Sequence, residues 1–153
     1  MEEHAGEEHV GYHPPDRLRQ LPTWLTAEVA RRGYRLVAAS LAQDGARRPH
    51  FTLLTSLSEQ GSASQADLGR RLSIDRSDLH ALLAELEQAG LVARVRDQQD
   101  RRRNVVTLTP AGRSALGRLD GRIDAAQDAL LAPLSAAERQ ELIRLLHKIL
   151  DAR

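Results

Sequence analysis

Three consecutive arginines, Arg101, Arg102 and Arg103, follow Asp100 in a polar stretch with an alternating apolar segment on either side. Guanidinium groups this close repel one another unless an anion neutralises them, and their planar forks fit phosphate oxygens and guanine acceptors. In a narrow minor groove of duplex DNA such a side chain meets an enhanced negative potential. Asp100, two residues from Arg102, is placed to orient that guanidinium by a charge-assisted hydrogen bond. A second set lies upstream, where Leu79, Leu82, Leu83 and Leu86 keep the 3-4 spacing of a core-facing helical stripe. The opposite side of that helix carries Arg76, Ser77, His80, Ala81, Ala84 and Glu85. Its small residues make it slim enough for a major groove, with Arg76 and His80 in reach of guanine or phosphate. Asp78 would be repelled by phosphate and is assigned to the helix-terminal dipole or to pairing with Arg76.

These residues require elements to position them. Residues 1–16 combine Glu, His, Gly and the Pro14-Pro15 pair without apolar periodicity and are expected to form a flexible arm. Residues 17–48 hold one long helix, from near Pro22-Thr23 to about Ala42, stopped by Gln43-Asp44-Gly45. A second helix runs from about Pro49 to Gln60, before Gly61. Ser64 with Asp67 three positions later resembles a capping box and opens a short helix through Leu72. Ser73-Ile74 makes a tight connection, Asp75 caps the helix of about Arg76 to Ala89, and Gly90 stops it. From Leu91 the period falls to two, with Leu91, Ala93 and Val95 as the apolar face of a strand and Val92, Arg94 and Arg96 opposite. Val105 to Leu108 returns. Thr109-Pro110 opens a long helix to about Leu131, and Ser135 with Glu138 is a capping box for a last helix.

Two short helices joined tightly, the second capped and slim, form a helix-turn-helix, and the arginine-tipped hairpin beside it forms a wing. The fold class is therefore mainly α with a small β-hairpin wing: a winged helix-turn-helix over residues 49–109, with terminal dimerisation helices at 17–48 and 110–153. Ser64 and Gln65, at the start of the first of the paired helices, join the candidate DNA contacts. Leu142, Leu145, Leu146, Ile149 and Leu150 form an apolar stripe on the last helix, and Leu25 and Val29 lie on the first. A unit this small cannot hide both stripes alone, so a homodimer is expected.

Composition narrows the alternatives. The net charge of +1 hides a strong asymmetry: residues 1–10 carry four glutamates and no Arg or Lys, whereas residues 91–118 carry seven arginines against two aspartates. The absence of cysteine excludes disulfides, thiolate metal sites and a thiol redox switch within this sequence. His4, His9 and His13 lie near the glutamates without the spacing of ligands on paired helices, and His50, His80 and His147 are scattered, so no metal site is assigned. There is no Gly-rich phosphate loop, nucleophile elbow or HExxH, and an enzyme is not expected. No apolar run approaches the roughly 20 residues of a membrane span. With an acidic opening in place of a basic leader, a cytoplasmic location is expected.

Residues of about 49–112 resemble the multiple-antibiotic-resistance regulator (MarR) family of bacteria. The resemblance is carried by Ser64-Gln65-Ala66-Asp67-Leu68-Gly69, by Leu86-Glu87-Gln88-Ala89-Gly90-Leu91-Val92, by Asp100-Arg101-Arg102-Arg103 and by Val105 through Gly112. Asn104 stands where many members carry an apolar or small residue. The resemblance implies a triangular homodimer with intertwined terminal helices, recognition helices in adjacent major grooves and wing arginines in flanking minor grooves. By it Arg102 is the wing arginine and Asp100 its partner. It also implies a transcriptional repressor that binds a pseudo-palindromic operator in double-stranded DNA and needs no cofactor. A small aromatic or phenolic effector would release the DNA, and the matching region holds Trp24, Tyr34, His50 and Phe51.

Overall fold

The computed structural model describes residues 13–152. Most of the expected arm, with His4 and His9, lies outside the described residues. The elements are α1 (Asp16–Arg19), α2 (Pro22–Ala42), α3 (Arg48–Gln60), α4 (Gln65–Leu72), α5 (Arg76–Gln88), β1 (Val92–Arg96), β2 (Asn104–Leu108), α6 (Pro110–Leu130) and α7 (Ala136–Leu150). The single turn of α1 was not expected. Asp16 in its first turn and Arg17 and Arg19 in its last complement the peptide dipole, a signal too short to show as periodicity.

The chain divides into two units after Arg32, within α2. In the first, Leu25 and Val29 stand exposed on α2 and Trp24 is partly buried. The second unit has its core where α3, α4, α5 and α6 meet the base of the hairpin. Leu41, Leu53, Leu54, Leu68, Leu79, Leu83 and Val106 are its most deeply buried side chains. Each contributes about 1.5–3 kcal/mol by leaving water, and the leucine stripe expected on α5 is wholly inside.

Caps set the helix ends. Ser64 Oγ accepts the Asp67 amide (3.2 Å) at the start of α4, and Asp75 Oδ1 accepts the Ser77 amide (2.8 Å) at the start of α5. Ser73, left-handed at φ 52°, turns the chain between them. Ser135 and Glu138 exchange hydrogen bonds as a capping box at the start of α7. Thr109 does more than cap α6. Its hydroxyl accepts the Gly112 amide (2.9 Å) and lies 2.7 Å from the Gly90 carbonyl oxygen and 3.0 Å from that of Leu91, to which it donates. The Thr-Pro-Ala-Gly segment thus ties the end of α5 to the beginning of α6.

β1 and β2 pair antiparallel, Val92 opposite Leu108 and Arg96 opposite Asn104. Ala63 adds a bridge to Val106 on the outer side of β2. The expected apolar face Leu91, Ala93 and Val95 is corrected here. Val92 is the buried residue of β1, and Val95 is exposed. Val92 shares one face of the paired strands with Val106 and Leu108, all three buried, so the face that meets the core is the one opposite to that expected.

Candidate nucleic-acid interface

The interface starts from the groove between α4 and α5, a concavity of about 1230 Å³. Gln65, Arg70, Arg76, Ser77 and His80 line it above Ile74 and Leu79. Arg76, Ser77, His80, Ala81 and Ala84 are all exposed on α5. The Asp75 cap sits below the usual carboxylate range because the Ser77 hydroxyl and then the Ser77 amide donate to it. That hydroxyl keeps its lone pairs to accept from outside. Asp78 falls in the first turn of α5, where its charge complements the dipole.

The wing tip is built by its aspartates. Asp97 Oδ1 accepts the Gln99 amide (2.9 Å), and Asp100 Oδ1 accepts the Arg102 amide (3.0 Å). Asp100 therefore holds the backbone of the turn, where orientation of the Arg102 guanidinium had been expected. A carboxylate two residues before an amide closes an Asx turn with less chain freedom to lose than a long arginine side chain has. Arg101, Arg102 and Arg103 are exposed at the tip.

Three of the residues expected to touch DNA are committed inside the protein. The Ser64 hydroxyl donates to Asp67 Oδ2 at 2.6 Å, Gln65 Oε1 accepts from Arg94 at 3.1 Å, and Arg103 Nη2 pairs with Asp67 Oδ2 at 2.8 Å. Asp67 also pairs with Arg70 and is held below the usual carboxylate range, first by the Ser64 hydroxyl and then by the two guanidinium groups. The pairing of Asp67 with Arg103 spans 36 residues, so no local pattern announces it.

Tyr34, His50 and Phe51, all in the second unit, do not form one cluster. Tyr34 is exposed, with the Arg48 guanidinium 4.4 Å from its ring centroid. Phe51 packs on the core. His50 lines a cavity of about 270 Å³ with Asp44, Leu54, Glu85, Leu86, Ala115, Arg118 and Leu119 among its neighbours. The His50 ring accepts the Arg47 amide at Nδ1 (3.1 Å), so its hydrogen is on Nε2, which donates to Glu85 at 2.8 Å. Arg47 also reaches Glu85 at 2.6 Å and, with His50 second, keeps that carboxylate below its usual range. The contacts of Glu85, on the exposed side of α5, were not legible in the sequence.

The apolar stripe on α7 is open. Ile149 and Leu150 are 68% and 79% exposed, Leu145 and Leu146 are also exposed, and Leu142 is partly buried. Ile143, absent from the expected set, is exposed as well.

Comparison with known proteins decides what this arrangement is. The MarR family model matches residues 47–103. The HTH-type transcriptional repressor Rv2887 of Mycobacterium tuberculosis is 34% identical over 113 residues, covering 74% of this chain and 81% of the relative. The chain belongs to the MarR family. It is a DNA-binding transcriptional regulator with a winged helix-turn-helix, as the sequence led us to expect. The crystal structure of the MarR family protein Rv2887 in complex with DNA is similar with a TM-score of 0.74 and 31% identity, covering 84% of this chain and 97% of that one. The PcaV regulator of Streptomyces coelicolor, solved in complex with its natural ligand, is similar with a TM-score of 0.68 and 30% identity, covering 88% and 95%. Among the described residues no helix is long and apolar enough to cross a membrane.

Proposed function

We propose that this MarR-family protein is a ligand-responsive repressor that binds a pseudo-palindromic operator as a homodimer. The observation that carries the reading is the pairing of a slim, capped, exposed α5 face with an arginine tip on an adjoining ribbon. Arg76, Ser77, His80 and Ala81 read base edges in the major groove, and Arg102 and Arg101 enter the flanking minor groove. The solved complex of Rv2887 with DNA supports the same use of the same fold. Ser64, Gln65 and Arg103 act nearer the protein than the base edges, because the Ser64 hydroxyl, Gln65 Oε1 and Arg103 Nη2 are already paired.

Dimerisation follows from α7, whose exposed leucines and isoleucines need a cover. A second copy supplies an identical face, the usual solution of two-fold assemblies. Leu25 and Val29 are a second exposed apolar pair for the same purpose. Because Ile149 is 68% exposed within one chain, Ile149→Asp should cost the subunit's own fold little and act on association. Light scattering should give twice the 16.9 kDa chain mass for the wild type and a shift towards the single-chain mass for the variant. Operator affinity should fall with it. An Ile149→Asp protein that stays dimeric and binds normally removes α7 from the interface.

The effector site is the cavity beside His50. Its volume of about 270 Å³ has room for one ring, since a cavity of about 150 Å³ already holds benzene. Leu54, Leu86 and Leu119 supply its apolar wall and Arg118 supplies donors, a set suited to a one-ring aromatic acid or phenol. No cofactor enters this reading. Arg118 is exposed at its side chain (62%), so Arg118→Ala should leave the fold intact. In a release titration with monocyclic aromatic acids the variant should need about tenfold more ligand, the loss of one charge-assisted hydrogen bond. An unchanged release curve takes Arg118 out of the site.

A further inference from the structure

Three successive alternate positions at the start of α4 hold the wing. Ala63, next to the cap, pairs its backbone with Val106 in both directions, at 2.8 and 3.2 Å. Gln65 receives Arg94 of β1, which also pairs with Glu87 of α5 at 2.9 Å. Asp67 receives Arg103 at the wing tip, at 2.8 Å. The Arg103 backbone closes the same tip: its amide donates to the Asp100 carbonyl and its carbonyl accepts the Asp97 amide, both at 2.9 Å. One residue thus shapes the turn with its main chain and fastens it to α4 with its side chain.

We propose that Asp67 is a positioning residue for DNA binding, a clamp that acts through Arg103 and fixes how far Arg101 and Arg102 stand from the recognition helix. Arg103 is then a strut of the wing and makes no independent contribution to phosphate binding. The proposal rests on the reading that the wing lies in a minor groove, where a shift of about 1 Å in a contact group is costly. It carries a sign that simple electrostatics reverses. Removing a negative charge near DNA should tighten binding by relieving repulsion from phosphate. Removing the clamp should weaken it.

The test uses the full chain and a duplex enriched by the wild-type protein from a random-sequence pool. Wild type, Asp67→Asn, Asp67→Glu, Arg103→Ala and the double variant Asp67→Asn with Arg103→Ala are titrated by fluorescence anisotropy at several salt concentrations. In parallel, hydrogen exchange is followed at the backbone amides of residues 97–103 without DNA. The loss of an exposed ion pair amounts to about threefold per wing, and so about tenfold for the two wings of a dimer. Asp67→Asn and Arg103→Ala should each show that loss together with faster exchange in the wing. The double variant should bind no worse than either single one, and Asp67→Glu should restore most of the affinity. Arg103→Ala leaves the α4 cap untouched, so it separates the clamp from any change in the fold of α4.

Asp67→Asn binding as tightly as wild type, or more tightly, overturns the proposal. So do additive losses in the double variant, or a salt slope lowered by Arg103→Ala in the Asp67→Asn background, which would make Arg103 a direct phosphate contact. If the wild type enriches no duplex, the DNA reading itself fails and the positioning role falls with it. The exchange comparison still tells that failure apart from an absent clamp.

Discussion

Arg102→Ala should bind its operator about a hundredfold more weakly than wild type while melting at the same temperature. The magnitude follows from two wings, each losing a groove contact of about 1–3 kcal/mol, near tenfold apiece. Arg102 is exposed, and the part of it that shapes the tip is its backbone amide, held by Asp100. Alanine keeps that amide, so the turn survives and only the guanidinium is lost. The salt dependence should also flatten, since fewer counterions are released when two fewer cations enter the groove. Arg103→Ala, which acts through Asp67, should lose about tenfold and keep its slope. A gel-shift or anisotropy titration in which Arg102→Ala matches wild type would remove the wing from the interface.

Gly112→Ala should be the most damaging glycine-to-alanine change among the described residues. A Cβ built at Gly112 would lie 2.0 Å from the Leu91 carbonyl oxygen and 2.8 Å from Leu108 Cδ1. Neither neighbour can yield cheaply. The Leu91 carbonyl accepts the Thr109 amide at 3.1 Å, and Leu108 is buried at the base of the hairpin. Overpacking against a fixed backbone costs about 3 kcal/mol or more, which for a chain of this size lowers the melting temperature by roughly 6–12 °C. The methyl would push the start of α6 away from the end of α5, so DNA affinity should fall along with stability. Circular dichroism melting of Gly112→Ala beside Gly117→Ala makes the comparison internal. A Cβ at Gly117 meets nothing within 4 Å, and alanine there should be neutral or slightly stabilising. Equal melting temperatures for the two variants would refute the packing argument.

Neither prediction depends on pH near neutrality. Asp67, Asp75 and Glu85 all titrate below their ordinary values in the folded protein. Their contribution is complete above the unfolded carboxylate pKa and is lost only as pH falls through the lower folded value, well into the acid range.

The helices and their ends were legible because their signals are local. Ser64, Asp75, Thr109 and Ser135 are small residues with an accepting side-chain oxygen placed before a helical stripe, and each one caps the helix it precedes. The leucines of α5 were legible for the same reason, since a period of 3.6 against one core leaves a clear stripe. The slim side of α5 and the basic tip could be read as well, because exposure there is what remains once the stripe is buried. Long-range pairing was not legible. Asp67 read as a cap and gave no sign that Arg103 would reach it. Val95 read as apolar-face and is exposed, because alternation says which residues share a face and nothing about which of the two faces meets the core. Asp100 was given to a side chain when the nearer backbone amide had the first claim on it. Nothing local marked Gly112 as a close contact, yet its lack of a side chain is what lets α6 approach Leu91.

Sedimentation of the enriched duplex with the full chain, over a series of salt concentrations, measures the central claim most directly. Two chains should travel with each duplex, and the logarithm of the affinity should fall linearly and steeply as the logarithm of salt rises. A protein that sediments as one chain and holds no duplex at any salt would contradict it.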